Sequence, residues 1–560
     1  MINKVIIFGD FHSKDYDNWW ASDQTFFKNA ALLRMSYYLR QRGIKVKQVH
    51  HCTKFNREEI DYMIETFSAG EPVTICISSS FLTNQNRLDY GFDTTTTTRD
   101  INDVGDFWGK KSFKFLLNLG AVAKKYKFPV LMGGFDIAKH KFKNDENNRA
   151  WGLDALSTFI DYYIIGDHPG SILQFCKEGK LDFESVSGKI KDSKLVYTRP
   201  VTDFRDFGFM VSPEDNLKWG EALTSEIAAG CVFSCSFCTY SALGKKKDEY
   251  HRTYESVKNE FLNNYKNFGV RTYMLVDNIM NDNEEKMNYL IRFREETGIN
   301  LRWAAYARLD TIKTKRQAQL FKDSGCIGLV FGIESLKKEV GPYLGKITDK
   351  EKIIKNLHII REVLGDSAIL SGSFISGAPT ETKEELQQTY EWLRSDEGRY
   401  LLDHWIFTPM FLEDGINERS EINKSRNNPY RDYIRTKPGS GRADDWISPW
   451  GTYEEFLALA IKFSKENNVS TTEEDWLETQ RGVFAIPYMN NVLDGDVEEY
   501  IRSVRAGEKI HVDRKEEFKY KNKTYLEDYR KKSLGNYYGA FEEDKFVTNP
   551  LTIVGEILQK

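Results

Sequence analysis

Short apolar runs alternate with helical patterns along the first third of the chain. The run from Val5 to Phe8 predicts a strand, and apolar residues spaced near 3.6 from Phe26 to Tyr37 predict a helix that ends near Gly43. Further runs predict the next strands: Ile44 to Val49, Val73 to Ser78, Val130 to Met132 and Tyr162 to Ile165. Strands that alternate with helices favour an α/β fold with a parallel, doubly wound sheet covered by helices.

A second alternating series begins after a poorly periodic stretch at residues 196–217 that contains Pro200 and Pro213. It holds six strand candidates: Leu223 to Ile227, Thr272 to Val276, Leu301 to Ala305, Gly328 to Gly332, Ala368 to Phe374 and Leu402 to Phe407. Six strands with intervening helices fit a partial (β/α)6 barrel of the TIM type. In such a fold the chemistry lies in the loops at the carboxyl ends of the strands.

These patterns predict an α/β domain at 1–195, a linker at 196–217, a partial barrel at 218–410 and a mixed, mainly helical region at 411–560. The segment from Thr83 to Lys111 has neither period and predicts an inserted loop. In the last region only the residues from Tyr453 to Ile461 show a clear helix pattern. Trp446 and Trp450 fit a core as well as a platform for stacked bases.

Charge and composition narrow the function classes. The 560 residues carry 79 Lys plus Arg against 83 Asp plus Glu, a net charge of −4, so no global basic field would hold nucleic acid or an anionic membrane. The stretch from Arg502 to Lys532 is basic and leaves a nucleic-acid contact possible, although its interspersed acids favour a solvated surface. No run approaches a membrane span, and the four-residue apolar run after the N-terminus is too short for a signal peptide. Seven cysteines in so long a chain predict a reducing, cytoplasmic location.

Three of the cysteines lie within eight residues, as Cys231-Val-Phe-Ser-Cys235-Ser-Phe-Cys238. Three thiolates on one short loop can hold a 4Fe-4S cluster, because thiolates are the soft ligands that such iron sites require, and three ligands leave one iron open. The same spacing permits a zinc site with Cys326 or His251 as a distant fourth ligand, or a chance group of buried thiols.

This loop, with an aromatic residue before its last cysteine, resembles the radical S-adenosylmethionine (SAM) superfamily. The landmarks that extend the resemblance, in chain order, are Thr224-Ser-Glu-Ile-Ala-Ala-Gly230, Asp277-Asn278, Phe331-Gly-Ile-Glu-Ser335 and Gly372-Ser-Phe-Ile-Ser-Gly-Ala-Pro-Thr-Glu381. The resemblance implies a 4Fe-4S cluster whose open iron binds SAM, reductive cleavage of SAM to a 5′-deoxyadenosyl radical, and hydrogen abstraction from an unactivated carbon. It also implies an electron donor such as flavodoxin or ferredoxin.

Carried over to this sequence, the resemblance makes Cys231, Cys235 and Cys238 the cluster ligands and places Phe237 near the adenine of SAM. Asp277 stands where the family more often has Gly-Gly-Glu, and it is expected to receive the methionine ammonium. The alternative for this carboxylate is a helix cap or a solvated surface group.

Glu334 and Ser335 are expected to face the ribose or the methionine end of SAM. Gly372, Ile375 and Gly377 are expected to let the backbone approach the adenine, since a glycine removes the side chain that would block it. The alternative for Glu334 is a helix cap or a solvated carboxylate, and the alternative for the glycines is that they form turns.

The first domain resembles cobalamin-binding modules. Asp10-Phe11-His12 follows the first strand and is similar to the start of the DxHxxG motif, although Asp15 replaces the glycine. The elements expected to line the nucleotide tail are Ser80 and Leu82, then Gly133 and Gly134. All follow strands, and ligands of doubly wound sheets bind at the carboxyl ends of strands. The resemblance implies cobalamin with His12 as a tentative cobalt ligand, and a locally hydrogen-bonded loop histidine is the alternative.

Together the two resemblances predict a radical SAM enzyme with cobalamin that methylates an unactivated carbon. A cobalamin-independent radical SAM isomerase or oxidoreductase is the second hypothesis, and a non-catalytic iron-sulfur or zinc scaffold is the third. The substrate class stays open among small metabolites, lipids, peptides and nucleobases.

Overall fold

The computed structural model describes most of the chain between residues 2 and 535. The described residues are 2–10, 28–79, 82, 110–134, 156–166, 169–181, 188–190, 193–198, 203–238, 249–410, 432–435, 446–465, 483, 486, 490–491, 496–506 and 515–535. His12 and Ser80, and residues 83–109 of the predicted inserted loop, lie outside these residues.

A seven-stranded sheet forms the first layered unit of the molecule. Its strands are β1 (Lys4–Phe8), β2 (Lys45–Val49), β3 (Thr74–Ser78), β4 (Val130–Gly133), β5 (Tyr162–Ile165), β6 (Gly188–Ile190) and β7 (Ser193–Tyr197). They lie in the order β2-β1-β3-β4-β5-β7-β6, and all neighbours are parallel except the edge pair of β6 with β7. The five predicted strands are confirmed. The sequence prediction missed β6 and β7, which are short and carry lysines at Lys189 and Lys194.

Four helices cover this sheet in the described residues: α1 (Ala30–Arg40), α2 (Arg57–Ser68), α3 (Lys110–Tyr126) and α4 (Gly170–Glu178). Local capping fixes where two of them begin. The Asn29 side chain accepts a hydrogen bond from the backbone N–H of Ala31, and Asn56 forms a reciprocal capping box with Glu59.

The second sheet has six parallel strands in sequential order. They are β8 (Leu223–Ser225), β9 (Thr272–Leu275), β10 (Arg302–Ala307), β11 (Cys326–Glu334), β12 (Ile369–Ser376) and β13 (His404–Pro409). Because β8 and β13 are its two edges, the sheet is an open, partial barrel. The predicted fold class is thus confirmed for both sheets, whereas the domain bounds at 195, 218 and 410 stay predictions.

Among the described residues, seven α-helices connect these strands: α5 (Tyr254–Phe268), α6 (Glu285–Thr297), α7 (Lys315–Asp323), α8 (Gly341–Leu344), α9 (Lys350–Leu364), α10 (Lys383–Arg394) and α11 (Asp396–Leu401). Thr253, Thr314 and Thr382 cap three of them through their side chains. Gly269 and Gly298 end two helices in the left-handed conformation, each at a φ of 70°. Because all neighbouring strands are parallel, the carboxyl ends of all six share one edge of the sheet.

Described segments after residue 410 pack onto the partial barrel. They contain β14 (Ile434–Arg435), β15 (Trp446–Ser448), β16 (Gly451–Thr452), α12 (Tyr453–Lys465), α13 (Val497–Arg505) and α14 (Lys515–Leu534). The helix predicted from Tyr453 onward is therefore confirmed. Trp446 is 1% exposed and its indole N–H donates to Met410 O at 2.9 Å, so the core interpretation of this tryptophan is correct.

Helix α14 contacts both sheets. The Tyr529 hydroxyl accepts from the backbone N–H of His50 at 2.8 Å beside the first sheet, and Arg530 forms a 2.7 Å ion pair with Glu59. The Tyr525 hydroxyl donates to Glu221 Oε1 at 2.7 Å beside the second sheet. Much of the predicted basic stretch is thus a packing helix. Within the described residues no helix combines the length and the apolarity that crossing a bilayer requires.

Candidate functional site

The cysteine loop follows β8 at the carboxyl edge of the second sheet. Cys231 is buried, Cys235 is partly buried and Cys238 is exposed, and the N–H of Cys238 donates to Cys235 O at 3.1 Å in a turn. Gly230 enters the loop with a φ of 96°, which strongly favours glycine. The three thiols therefore extend from the protein interior to its surface along one loop.

Asp277, directly after β9, holds the residues that lead into this loop. Its two carboxylate oxygens accept from the backbone N–H groups of Ile227 and Ala228, both at 2.8 Å. The neighbouring Asn278 side chain accepts from the N–H of Gly230 at 3.1 Å. The structure thus directs the Asp277 carboxylate to the loop backbone. The expected contact with a methionine ammonium stays a prediction.

Lys286 compensates the buried charge of Asp277. Its ammonium lies 3.2 Å from Asp277 Oδ1 and 2.9 Å from Asp282 Oδ1, and it donates to Ile279 O at 2.6 Å. The side chains of Asp277 and Asp282 are fully buried and that of Lys286 is 1% exposed. Burial alone would lower the pKa of Lys286, but the two carboxylates outweigh it and raise that pKa. A charged network therefore anchors the loop from below.

Arg308, at the end of β10, reaches the middle cysteine. Its Nη1 lies 3.3 Å from Cys235 Sγ. Asp310 accepts from the Nε and Nη2 atoms of Arg308 at 2.6 and 2.8 Å, and Gly345 O accepts from Nη2 at 3.0 Å. The guanidinium also lies 4.0 Å above the centre of the Phe233 ring. A fixed positive group thus faces one of the three thiols.

Glu334 ends β11 in the left-handed conformation, with a φ of 68°. Its carboxylate pairs with the Lys346 ammonium at 2.7 Å, and both side chains are at least nine-tenths buried. Lys346 also donates to Gly332 O at 2.8 Å and lies 5.7 Å from the centre of the Phe237 ring. The predicted residue Glu334 and the aromatic residue of the cysteine loop are therefore joined through one lysine.

Ser335 links the loop after β11 to the loop after β12. Its hydroxyl donates to Glu381 Oε1, and Glu381 has no exposed surface. Burial raises the pKa of Glu381 to about 8. Lys337 adds a second link, since its ammonium donates to Thr380 O at 2.6 Å and to Glu385 Oε2 at 2.7 Å.

The glycines and the isoleucine predicted to contact adenine lie on or just after β12. At Gly372 an added Cβ would lie 3.0 Å from the side chains of Leu402 and Phe374, so the packed core favours a glycine there. Ile375 is 7% exposed. Gly377 has a φ of 81°, and an added Cβ would lie 2.8 Å from Trp446. Their contacts with adenine stay predictions.

At the first sheet the predicted residues in the described part of the chain also lie at the carboxyl edge. The Asp10 carboxylate accepts from the Thr53 hydroxyl at 2.6 Å, and Leu82 is fully buried. Gly133 ends β4, where an added Cβ would lie 3.1 Å from Ile164 O, and Gly134 follows with a φ of 114°. This edge leaves the end of β4 without side chains, which fits a ligand that approaches the backbone closely.

The donor chemistry of the cysteine loop fits an iron-sulfur cluster better than a zinc site with Cys326. Cys326 is the first residue of the nine-residue strand β11, so it lies at the opposite edge of the sheet from the cysteine loop. His251 lies beside the loop, with its Nε2 atom 2.9 Å from the Asn283 side chain. Among the described residues no three His, Cys, Asp or Glu side chains already converge as a metal site. The fit therefore rests on three soft thiol donors at the edge where ligands bind.

The comparison with protein families identifies the class of this region. Residues 225–393, which hold the cysteine loop and strands β9 to β12, match the model of the radical SAM superfamily, so this part of the chain is a radical SAM domain. The resemblance predicted from the cysteine spacing is thereby confirmed.

Two relatives and one solved structure carry the likeness further. Over 181 residues the chain is 28% identical to an uncharacterized methyltransferase of Pyrococcus horikoshii, which covers 32% of this chain and 38% of that protein. Over 249 residues it is 24% identical to the bacteriochlorophyllide d C-12(1)-methyltransferase of Chlorobaculum tepidum, covering 42% of this chain and 52% of that protein. The alignments thus span about half or less of these relatives.

The solved structure is the radical SAM methyltransferase TsrM of Kitasatospora setae with cobalamin and a [4Fe-4S] cluster bound. It has a TM-score of 0.55 and 14% identity, and the match covers 94% of this chain and 100% of that chain. The likeness shows that the two sheets share one overall fold with that protein.

The sequence assigned no role in this site to four of its charged residues: Lys286, Arg308, Lys346 and Glu381. Arg308 and Asp310 carry the clearest signal, since they follow a predicted strand directly, at the edge where ligands bind. Lys346 carries no comparable signal, because 12 residues separate it from Glu334. Lys286 follows Asp282 at an i,i+4 spacing, which is common on helix surfaces and does not single out a buried pair.

Proposed function

We propose that this chain is a radical SAM enzyme that binds a 4Fe-4S cluster through Cys231, Cys235 and Cys238 and transfers a methyl group to an unactivated carbon. The observation that supports it most is the cysteine loop itself. It lies at the carboxyl edge of a six-stranded parallel sheet, inside the region that matches the radical SAM model. When bound, the cluster and SAM supply a reductively generated 5′-deoxyadenosyl radical.

The residues of the chain position these groups and exclude water. Asp277 and Asn278 fix the backbone that leads into the cysteines. Glu334 and Ser335 are held by buried partners on the neighbouring loops, which fits groups that bind the ribose or methionine part of SAM. Phe237 lies beside Lys346 and offers an apolar face for the adenine.

Cobalamin is the proposed methyl carrier, held at the carboxyl edge of the first sheet. Asp10, Leu82, Gly133 and Gly134 lie at this edge, which is the ligand-binding edge of a doubly wound sheet. His12 is the proposed lower ligand of the cobalt by its resemblance to the DxHxxG motif. The bound corrinoid would supply a cobalt-carbon bond from which a methyl group is transferred. Two named methyltransferases among the relatives favour this chemistry over isomerisation.

The first experiment reconstitutes the anaerobic protein with iron and sulfide and measures iron content, the cluster's electron paramagnetic resonance (EPR) signal and 5′-deoxyadenosine formation from SAM with dithionite. Cys235→Ala is expected to lose the cluster and the cleavage of SAM together. The matched control is Cys326→Ala, which removes a buried thiol at the opposite edge and is expected to keep both. SAM cleavage by Cys235→Ala, or zinc in place of iron in the wild type, would refute the assignment.

The second experiment separates methyl transfer from the alternatives. Anaerobic protein is incubated with hydroxocobalamin, desalted and examined by absorbance for one retained corrinoid. Retention supports the methyltransferase. SAM cleavage without retention would indicate a cobalamin-independent radical enzyme, and a bound cluster without SAM cleavage would indicate a non-catalytic scaffold.

A further inference from the structure

The guanidinium of Arg308 is held in one orientation by three groups other than the cysteine. Asp310 binds it through two hydrogen bonds of 2.6 and 2.8 Å, Gly345 O accepts a third of 3.0 Å, and the Phe233 ring lies 4.0 Å away. Arg308 is 6% exposed. These contacts use the Nε and Nη2 atoms and leave Nη1 directed at Cys235 Sγ, 3.3 Å away.

The position of Arg308 within the fold makes this contact robust. The backbone N–H of Arg308 donates to Asn281 Oδ1 at 2.7 Å, and Asn281 in turn donates to Arg308 O at 2.8 Å. Gly345 packs on the cysteine loop from the other side, since an added Cβ there would lie 3.6 Å from Cys235 Cα. The arginine thus lies between two segments that already contact the loop.

We propose that Arg308 tunes the reduction potential of the cluster through a charge-assisted hydrogen bond to the Cys235 thiolate, and that Asp310 limits this effect. The inference rests on the proposed function, because it requires the cysteine trio to hold a cluster. It assigns Arg308 and Asp310 opposite electrostatic effects on that potential.

Reduction adds negative charge to the cluster, and the sign of that charge decides how nearby charged residues shift the potential. An electron that enters a cluster increases the negative charge on its sulfur ligands, and hydrogen bonds to those sulfurs are among the features that set cluster potentials. Arginine stays protonated, so its positive charge stabilises the reduced form and raises the potential. The Asp310 carboxylate lies on the far side of the guanidinium and offsets part of that charge. The two residues therefore act with opposite signs.

The test is an EPR-monitored redox titration of the reconstituted holoenzyme and of four variants. Arg308→Gln is expected to lower the midpoint potential, because it removes the cation. Asp310→Asn is expected to raise it, because it removes the opposing charge and keeps an acceptor for the guanidinium. Arg308→Lys keeps the charge without the planar fork and is expected to fall between Arg308→Gln and wild type.

The matched control is Arg316→Gln, which breaks an exposed ion pair with Glu284 on the neighbouring helix and is expected to leave the potential unchanged. Opposite shifts for Arg308→Gln and Asp310→Asn, at equal iron content, would support the proposal, since general loosening of the loop would move both in one direction.

Two results would overturn it: an unchanged potential in Arg308→Gln with a full cluster, or shifts of the same sign in both variants. If Arg308→Gln assembles no cluster, Arg308→Lys and Asp310→Asn decide by the same criterion. Absence of any cluster in the wild type would instead refute the proposed function.

Discussion

The carboxyl edges of the two parallel sheets manage buried polar groups in different ways. At the second sheet the charges are paired: Lys286 lies between Asp277 and Asp282, and Lys346 pairs with Glu334. Paired charges hold the loops in one arrangement, because each partner would be left uncompensated in any other.

At the first sheet, burial instead favours the neutral form of two histidines that follow β2, His50 and His51. Burial lowers the pKa of both His50 and His51 well below the usual value, and it lowers the pKa of Lys28 as well. The His51 ring packs edge-on against Tyr525 and Tyr529 of helix α14. The radical SAM edge thus carries buried charges with close partners, whereas burial disfavours charge on the two histidines that follow β2 at the first sheet.

The largest expected effect comes from breaking the compensation. Lys286→Met leaves two buried carboxylates without their cation, and loss of one partner of a buried ion pair costs about 3–5 kcal/mol of unfolding free energy. Urea unfolding followed by tryptophan fluorescence measures it. The control is Lys125→Met, which removes an exposed cation from its partly exposed partner Asp61 on helix α2, and no resolvable change is expected. Equal unfolding midpoints for the two variants would contradict the contrast.

A smaller effect is expected on the cofactor that each edge retains, iron at the second sheet and cobalamin at the first. Asp277→Asn replaces one of two acceptors for the loop amides with a donor, so a buried N–H loses its partner at a cost of about 1–3 kcal/mol. We expect lower iron retention after reconstitution, with cobalamin retention unchanged. Asp10→Ala and His12→Ala are expected to show the reverse. Iron loss in Asp10→Ala equal to that in Asp277→Asn would mean that the two edges do not act separately.

The smallest expected effect is on the pH dependence of stability, where the edges should differ in sign. Burial raises the pKa of Glu381 above its unfolded value, so its contribution is complete below about 4.5 and is lost as pH rises through about 8. The pKa of His51 is lowered, so its contribution is complete above about 6.5 and is lost as pH falls.

Each single group changes the free energy of unfolding by at most about 1.4 kcal/mol per pH unit. Urea unfolding midpoints measured between about pH 5 and about pH 8.5 test this. Glu381→Gln is expected to flatten the pH dependence of stability on the alkaline side. His51→Asn is expected to flatten it on the acid side, and asparagine tolerates the left-handed backbone at this position. A variant that changes the pH dependence on the opposite side would contradict the sign assigned to that residue.

Much of the fold could be predicted because strand and helix periods are local properties of the chain. Five of the seven strands of the first sheet and the six of the second were visible as apolar runs, and helix α12 as a 3.6-residue period. Strands β6 and β7 escaped prediction, since β6 has only three residues and Lys194 interrupts the short β7, so neither leaves a clear pattern. The role of helix α14 also escaped, because its tyrosines among lysines indicate a surface until both sheets are in place.

The sequence by itself determined the cysteine trio, its place after a strand and hence the radical SAM character of that domain, because donor type and spacing on one loop are set by consecutive residues. Only the tertiary structure decided which charges surround that loop. Asp277 and Lys286 are nine residues apart, Cys235 and Arg308 are 73 apart, and Ser335 and Glu381 are 46 apart. Such pairs form when parallel strands bring their carboxyl ends to one edge, and no local pattern records which side chains meet there.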